Sequence, residues 1–169
     1  AAGIALEGMR LVKEALPAVM ENGNDLDARM HMLVASSMGA TAFQKGLGAM
    51  HALAHPLGAL YDAHHGLLNA ILMPYVLVAN RRHIAARLGR AAAYLGLEEN
   101  SYEAFLAWVL DLRQGIGIPS NLREIGIGDE QQQRVGEMAA RDPSSGGNPL
   151  VFAAADYQAL FARAVAGEL

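Results

Sequence analysis

GLGAMHALAHPLGALYDAHHGLLNAILMP, residues 46–74, is the stretch whose reading decides the fold. Its apolar residues do not alternate with polar ones, so no half-buried strand fits it. Helical spacing does fit: Met50 to His55 form a helical stretch, broken by Pro56 and Gly58. Asp62-Ala63-His64-His65-Gly66 then punctuates the chain, and a buried helix follows over residues 67–78. Gly46 and Gly48 stand two apart, as in a phosphate-binding loop, but helix rather than strand precedes them. They read as a packing or turn feature.

The same periodicity extends outward on both sides. Ile4, Leu6, Met9, Leu11, Val12, Leu16 and Val19 outline an amphipathic helix ending near Asn22-Gly23-Asn24. Asp25 or Asp27 caps a second helix carrying Met30, Leu33, Val34, Ser37, Met38 and Phe43. Its small residues (Ala35, Ser36, Ser37, Gly39, Ala40, Ala42) suit a close approach of neighbouring backbones. Further helices are predicted over residues 82–95, 102–112, 129–140 and 154–166, with turn-rich connectors at 96–97, 115–119 and 142–149. No alternating strand, internal repeat or low-complexity segment interrupts them. The predicted fold is all-α, a multi-helix bundle made by residues 1–169 as a single domain. A Rossmann half needs strand, glycine loop and helix in that order, and this sequence contains no such α/β nucleotide-binding unit.

Composition narrows the functional classes. Of 169 residues, 53% are hydrophobic and 18% charged, apolar for a soluble domain but within range. A net charge of -4 without a basic tract argues against nucleic acid, and 6% aromatic content weakens any base-stacking role. The absence of cysteine excludes disulfides, thiolate zinc sites and cysteine nucleophiles, and suits a reducing compartment. Glu7, Arg10, Lys13 and Glu14 break up the first apolar residues, unlike a secretory signal. The most apolar run, residues 66–79, is too short to span a bilayer. The expectation is a cytoplasmic protein with no membrane partner. The chain opens Ala1-Ala2-Gly3 without Met, as a fragment of a larger protein or a processed chain would.

Of six histidines, four fall within fifteen residues: His51, His55, His64 and His65. A single helical histidine is ordinarily a core or surface residue, and His31 and His83 read that way. Four clustered among glycines and apolar residues suggest metal binding, since neutral imidazole is the commonest nitrogen ligand. His51 and His55 lie four apart, on one helical face. His51 and His65 lie fourteen apart, which in a straight helix would separate them by roughly 21 Å. Imidazole–metal bonds span only about 2 Å, so shared coordination requires the chain to turn back between them. Pro56, Gly58 and residues 62–66 supply candidate breaks. Spacing leaves both pairs open, His51/His55 and His51/His65. No His-Glu-x-x-His or Glu-x-x-His run occurs, so zincin and di-iron patterns are missing. Two or three histidines do not complete a site, and further ligands must come from elsewhere.

Residues 46–74, with histidines, prolines and glycines in register, resemble the signature of the iron-containing (group III) alcohol dehydrogenases. The resemblance covers the whole chain and implies the family's C-terminal helical metal-binding domain. Ala5-Leu6-Glu7-Gly8-Met9-Arg10-Leu11 is similar to the helix after the family's first ligand motif, and Asp142-Pro143 with Asn148-Pro149 to its C-terminal turn. By this resemblance His51 and His65 are metal ligands, and His55 is a catalytic histidine beside substrate and nicotinamide. The family completes its metal shell with Asp-x-x-x-His on an earlier helix. Asp27-Ala28-Arg29-Met30-His31 matches that spacing formally but sits in the wrong place, and is set aside. Two departures mark a subgroup with its own substrate range: Phe43-Gln44-Lys45-Gly46 is one residue short, and His64 stands where many members have proline.

The resemblance implies an NAD(P)-dependent oxidoreductase acting on a small or primary alcohol or the corresponding aldehyde. Fe²⁺, with Zn²⁺ as alternative, would polarise the alcohol oxygen, while His55 relays the hydroxyl proton. Phe43 and the Leu and Met residues of the segment either line an alkyl pocket or form ordinary core. The implied partners are the missing N-terminal nucleotide-binding domain and further copies of the chain in a homo-oligomer. The rival reading is a non-catalytic truncated module that folds and self-associates without complete metal and nucleotide sites.

Overall fold

Side-chain caps start two of the α-helices. The computed structural model describes residues 1–169: seven α-helices, three short 3-10 turns and no strand. Helix α1 (Ala2–Glu21) stops before Asn22, whose side chain accepts from the Asn24 N–H. Asp25 is the cap that starts α2 (Leu26–Ala42), accepting from the Ala28 N–H at 2.9 Å. Ser101 caps α5 (Tyr102–Gly115) in the same way. The chain also contains α3 (Ala49–Tyr61), α4 (His65–Tyr94), α6 (Gln132–Arg141) and α7 (Ala154–Ala166).

Against the sequence expectation, α5 runs to Gly115 rather than 112, α6 starts at Gln132 rather than 129, and Phe43 falls in a 3-10 turn just after α2; the two largest differences involve prolines. Helix α3 does not break at Pro56 and Gly58 but runs to Tyr61, and α4 is one 30-residue helix where two were predicted. An internal proline removes a hydrogen bond and costs about 3 kcal/mol or more. Burying one leucine fully contributes about 1.5–3 kcal/mol. Leu53 and Leu57 flank Pro56 and are fully buried, as are Leu68, Ile71 and Leu72 before Pro74. Tertiary burial therefore outweighs the local break.

The chain divides into two compact units. The first comprises Ala1–Lys45 and Ala85–Ile116, and holds α1, α2, the later part of α4 and α5. Its buried residues include Leu11, Ala15, Ala28, Ala35, Ala91, Ala92, Leu95, Phe105 and Val109. Small residues bring α1 and α2 together: a Cβ on Gly8 would lie 3.4 Å from Met38 Cβ and 3.6 Å from the Ala35 carbonyl. The rest of α2 behaves otherwise. Leu26, Met30 and Leu33 are exposed, and a Cβ on Gly39 would meet nothing within 4 Å.

The second unit comprises Gly46–Ile84 and Gly117–Leu169. Its core joins Leu53 and Leu57 of α3, Leu68, Ile71, Leu72 and Tyr75 of α4, Val135 and Ala139 of α6, and Tyr157, Leu160 and Phe161 of α7. The α6–α7 contact is close: a Cβ on Gly136 would meet Gln158 and stand 2.6 Å from the Ala154 carbonyl.

Two glycine substitutions should therefore move stability in opposite directions. Gly136→Ala is expected to cost about 1–3 kcal/mol by overpacking, whereas Gly39→Ala should gain up to about 1 kcal/mol from helix propensity. Urea midpoints compare them directly, and equal stability of Gly136→Ala and the parent chain would contradict the tight packing of α6 on α7.

Candidate functional site

The reversal between α3 and α4 occupies only residues 62–64. Asp62 adopts the left-handed conformation (φ 52°, ψ 33°), one that aspartate tolerates better than most residues, and its N–H bonds to the Gly58 carbonyl at 3.0 Å. His64 then opens α4: its Nδ1 accepts from the Leu67 N–H at 3.3 Å and its carbonyl from the Leu68 N–H. His64 is thus a helix cap, and the turn lies beyond Pro56 and Gly58 rather than at them.

That reversal brings His51 and His55 of α3 against His65 of α4. The ring centroids of His51 and His65 are 5.4 Å apart, those of His55 and His65 5.4 Å, and those of His51 and His55 6.1 Å. The His55 and His65 rings stack with 14° between their planes. The residues at 51 and 55 face each other because they are one turn apart, and His65 joins them through the fold. His31 and His83 are exposed residues of α2 and α4, and Asp27 is exposed as well. Phe43 lies in the first unit and is half-exposed, while Leu53, Leu57, Leu68 and Leu72 are core.

Each clustered histidine has a different environment. His51 is half-buried, and no protein group hydrogen-bonds either of its ring nitrogens. Burial pushes its pKa down, helped by repulsion from His65 and His55 and opposed by Asp142, so the neutral, ligating form is favoured. The Nε2 of His65 meets the Asn69 side-chain nitrogen at 2.9 Å. If the amide donates, the His65 proton resides on Nδ1; ion binding at Nε2 would then displace Asn69. The amide oxygen of Asn69 is buried without a partner. No three His, Asp or Glu side chains converge closely enough to hold an ion by themselves.

Asp142 was legible in the sequence only as part of a turn. Its Oδ2 lies 2.8 Å from His55 Nδ1, while Oδ1 accepts from the Ser144 N–H at 2.8 Å and caps the 3-10 turn Pro143–Gly147. Burial disfavours its charge, but the hydrogen bonds from His55 and Ser144 outweigh that and hold the carboxyl below its ordinary value. Asn148 anchors the same loop. It exchanges two 3.0 Å hydrogen bonds with buried Asn80 of α4, donates to the Leu150 carbonyl, and accepts from the Ala49 N–H at the start of α3. Glycines make room for this clamp: a Cβ on Gly48 would stand 3.2 Å from Asn148 Oδ1, and one on Gly147 would collide with the Leu47 carbonyl. Gly46 and Gly48 are thus turn and packing residues.

The model of the Fe-containing alcohol dehydrogenase family, C-terminal part, matches residues 2–165. The 4-hydroxybutyrate dehydrogenase of Cupriavidus necator is 38% identical over 92% of this chain and 43% of its own length. The NAD-dependent methanol dehydrogenase of Bacillus methanolicus is 31% identical over 95% of this chain and 44% of its own. A crystal structure of 1,3-propanediol oxidoreductase superposes with a TM-score of 0.92 at 31% identity, covering 96% of this chain and 44% of that one. The chain spans less than half the length of these relatives.

The Asn148 clamp makes a stability prediction. Asn148→Ala leaves Asn80 buried without its partner and the Ala49 N–H uncapped, and should cost about 2–3 kcal/mol. Adding Asn80→Ala should cost less than the sum of the two single variants, by at least about 0.5 kcal/mol. Additive urea midpoints would mean that the pair contributes no coupling.

Proposed function

The chain belongs to the Fe-containing alcohol dehydrogenase family, and from that premise we propose that its imidazole cluster serves a metal-dependent oxidoreductase. The reaction is hydride transfer between a small or primary alcohol, or the matching aldehyde, and NAD or NADP. Residues 1–169 act as the helical metal and substrate domain, and the nucleotide sits mainly on an α/β domain of the full protein. Relatives named for hydroxybutyrate, methanol and propanediol favour a short hydroxyalkyl substrate and NAD.

The observation that carries this reading is the meeting of His51 and His65, fourteen residues apart in sequence, at a ring separation of 5.4 Å. Neutral imidazole nitrogen suits Fe²⁺ and also Zn²⁺, so the donors present fit part of a metal shell. His51 and His65 would hold the ion, with the remaining ligands coming from an Asp-x-x-x-His motif outside this chain. When bound, such an ion favours deprotonation of the alcohol hydroxyl. His55 accepts the hydroxyl proton at Nε2 and passes it to water, its side chain being 42% exposed and so open to solvent.

An N-terminally extended protein tests this through metal content and NAD(P)-dependent alcohol oxidation. His51→Ala and His65→Ala should each lose the ion on dialysis. His55→Ala should retain it and turn over about 10²–10⁴-fold more slowly. An empty His55→Ala beside a metal-replete His65→Ala would reverse the assignment of ligands. An extended protein with neither metal nor activity would leave a non-catalytic helical module instead.

A further inference from the structure

We infer that Asp142 is a positioning residue, fixing His55 in the tautomer that carries its proton on Nδ1 and leaves Nε2 as the acceptor. The inference rests on the proposed role of His55 as proton acceptor, and deepens it.

An ionised carboxylate only accepts hydrogen bonds. With Asp142 Oδ2 at 2.8 Å from His55 Nδ1, the proton between them must therefore belong to the histidine. In a neutral ring, Nε2 then holds a lone pair and no hydrogen. No protein group occupies that nitrogen, and the ring lies flat against His65. A histidine without such a partner populates both tautomers, and in one of them Nε2 is a donor that cannot take a proton.

Asp142 is built to impose this choice. Its side chain is 14% exposed against 42% for His55, so the carboxylate is the covered, fixed member of the pair. Its second oxygen is committed to the Ser144 N–H, which sets the plane of the carboxylate. The turn behind it is tied down at two points: Ser145 Oγ meets the Tyr157 hydroxyl at 2.7 Å, and Asn148 pairs with Asn80. Tyr157 is itself fully buried in the core. The sequence separation of 87 between His55 and Asp142 is thus bridged by a loop tied down at points other than the histidine.

Asp142→Asn is the informative variant, because asparagine keeps the cap on the 3-10 turn while its amide can present a donor to Nδ1. In the metal-free chain, with the ring neutral, ¹⁵N NMR should show His55 protonated on Nδ1, and Asp142→Asn should shift the proton toward Nε2. In the metal-loaded, N-terminally extended protein, Asp142→Asn should lower kcat about 10–100-fold while metal content and KM stay unchanged. A parent His55 already protonated on Nε2, or an unchanged tautomer and kcat in Asp142→Asn, would overturn the inference. If the extended protein oxidises no alcohol, the functional reading fails, and the NMR result still decides whether Asp142 sets the tautomer.

Discussion

Everything at the candidate site depends on the hairpin between α3 and α4 closing within three residues. Closing it means accepting a left-handed aspartate at position 62 and two prolines inside helices, each an unfavourable local choice. What outweighs them is burial. Leu53, Leu57, Leu68, Ile71 and Leu72 are removed from water entirely, and α6 and α7 cover the same core with Val135, Leu160 and Phe161. Histidines 51 and 65 meet because the leucines two or three positions away are pinned, and for no reason intrinsic to imidazole.

A second tier of constraint is polar. Asn80 is 2% exposed, and an amide so placed costs stability unless it is fully hydrogen-bonded. Asn148 satisfies it, and in doing so ties the loop at 143–147 to both helices of the hairpin. The loop could have been held by apolar contacts alone. Directional bonds do something those contacts do not: they fix the rotation of the loop, and hence where Asp142 points.

Much of this is legible in the amino-acid order itself. The cap of α2 is narrowed there to Asp25 or Asp27, and the structure selects Asp25. The all-α class, the end of α1 near Asn22 and the whole of α7 follow from periodicity and capping chemistry. The continuity of α3 and α4 does not, because proline is a local signal, and its penalty is decided by how much apolar surface the helix buries elsewhere. The histidine cluster is visible as a cluster; spacing leaves the pairing of His51 open, and the fold brings both His55 and His65 to it. His64 looks like a fourth member and is a helix cap, a role that depends on where the turn falls. Asp142 and Asn148 stand in a turn-rich segment that any surface loop would match. Their partners lie 87 and 68 residues away, and nothing local encodes such a distance.

The four neighbouring histidines are therefore distinguished by their second partners rather than by residue type. His64 gives its Nδ1 to the backbone of α4, so that nitrogen is taken. His65 is contacted at Nε2 by the neutral side-chain amide of Asn69. His55 is held by a carboxylate, which orients the ring and engages its Nδ1. His51 has no hydrogen-bonding neighbour at all, and burial pushes its pKa down, which favours the neutral ring. One ring stands unpartnered among other imidazoles, whereas another is oriented by a carboxylate through its Nδ1. The same side chain, repeated within fifteen residues, acquires different chemistry from whatever the fold places behind it.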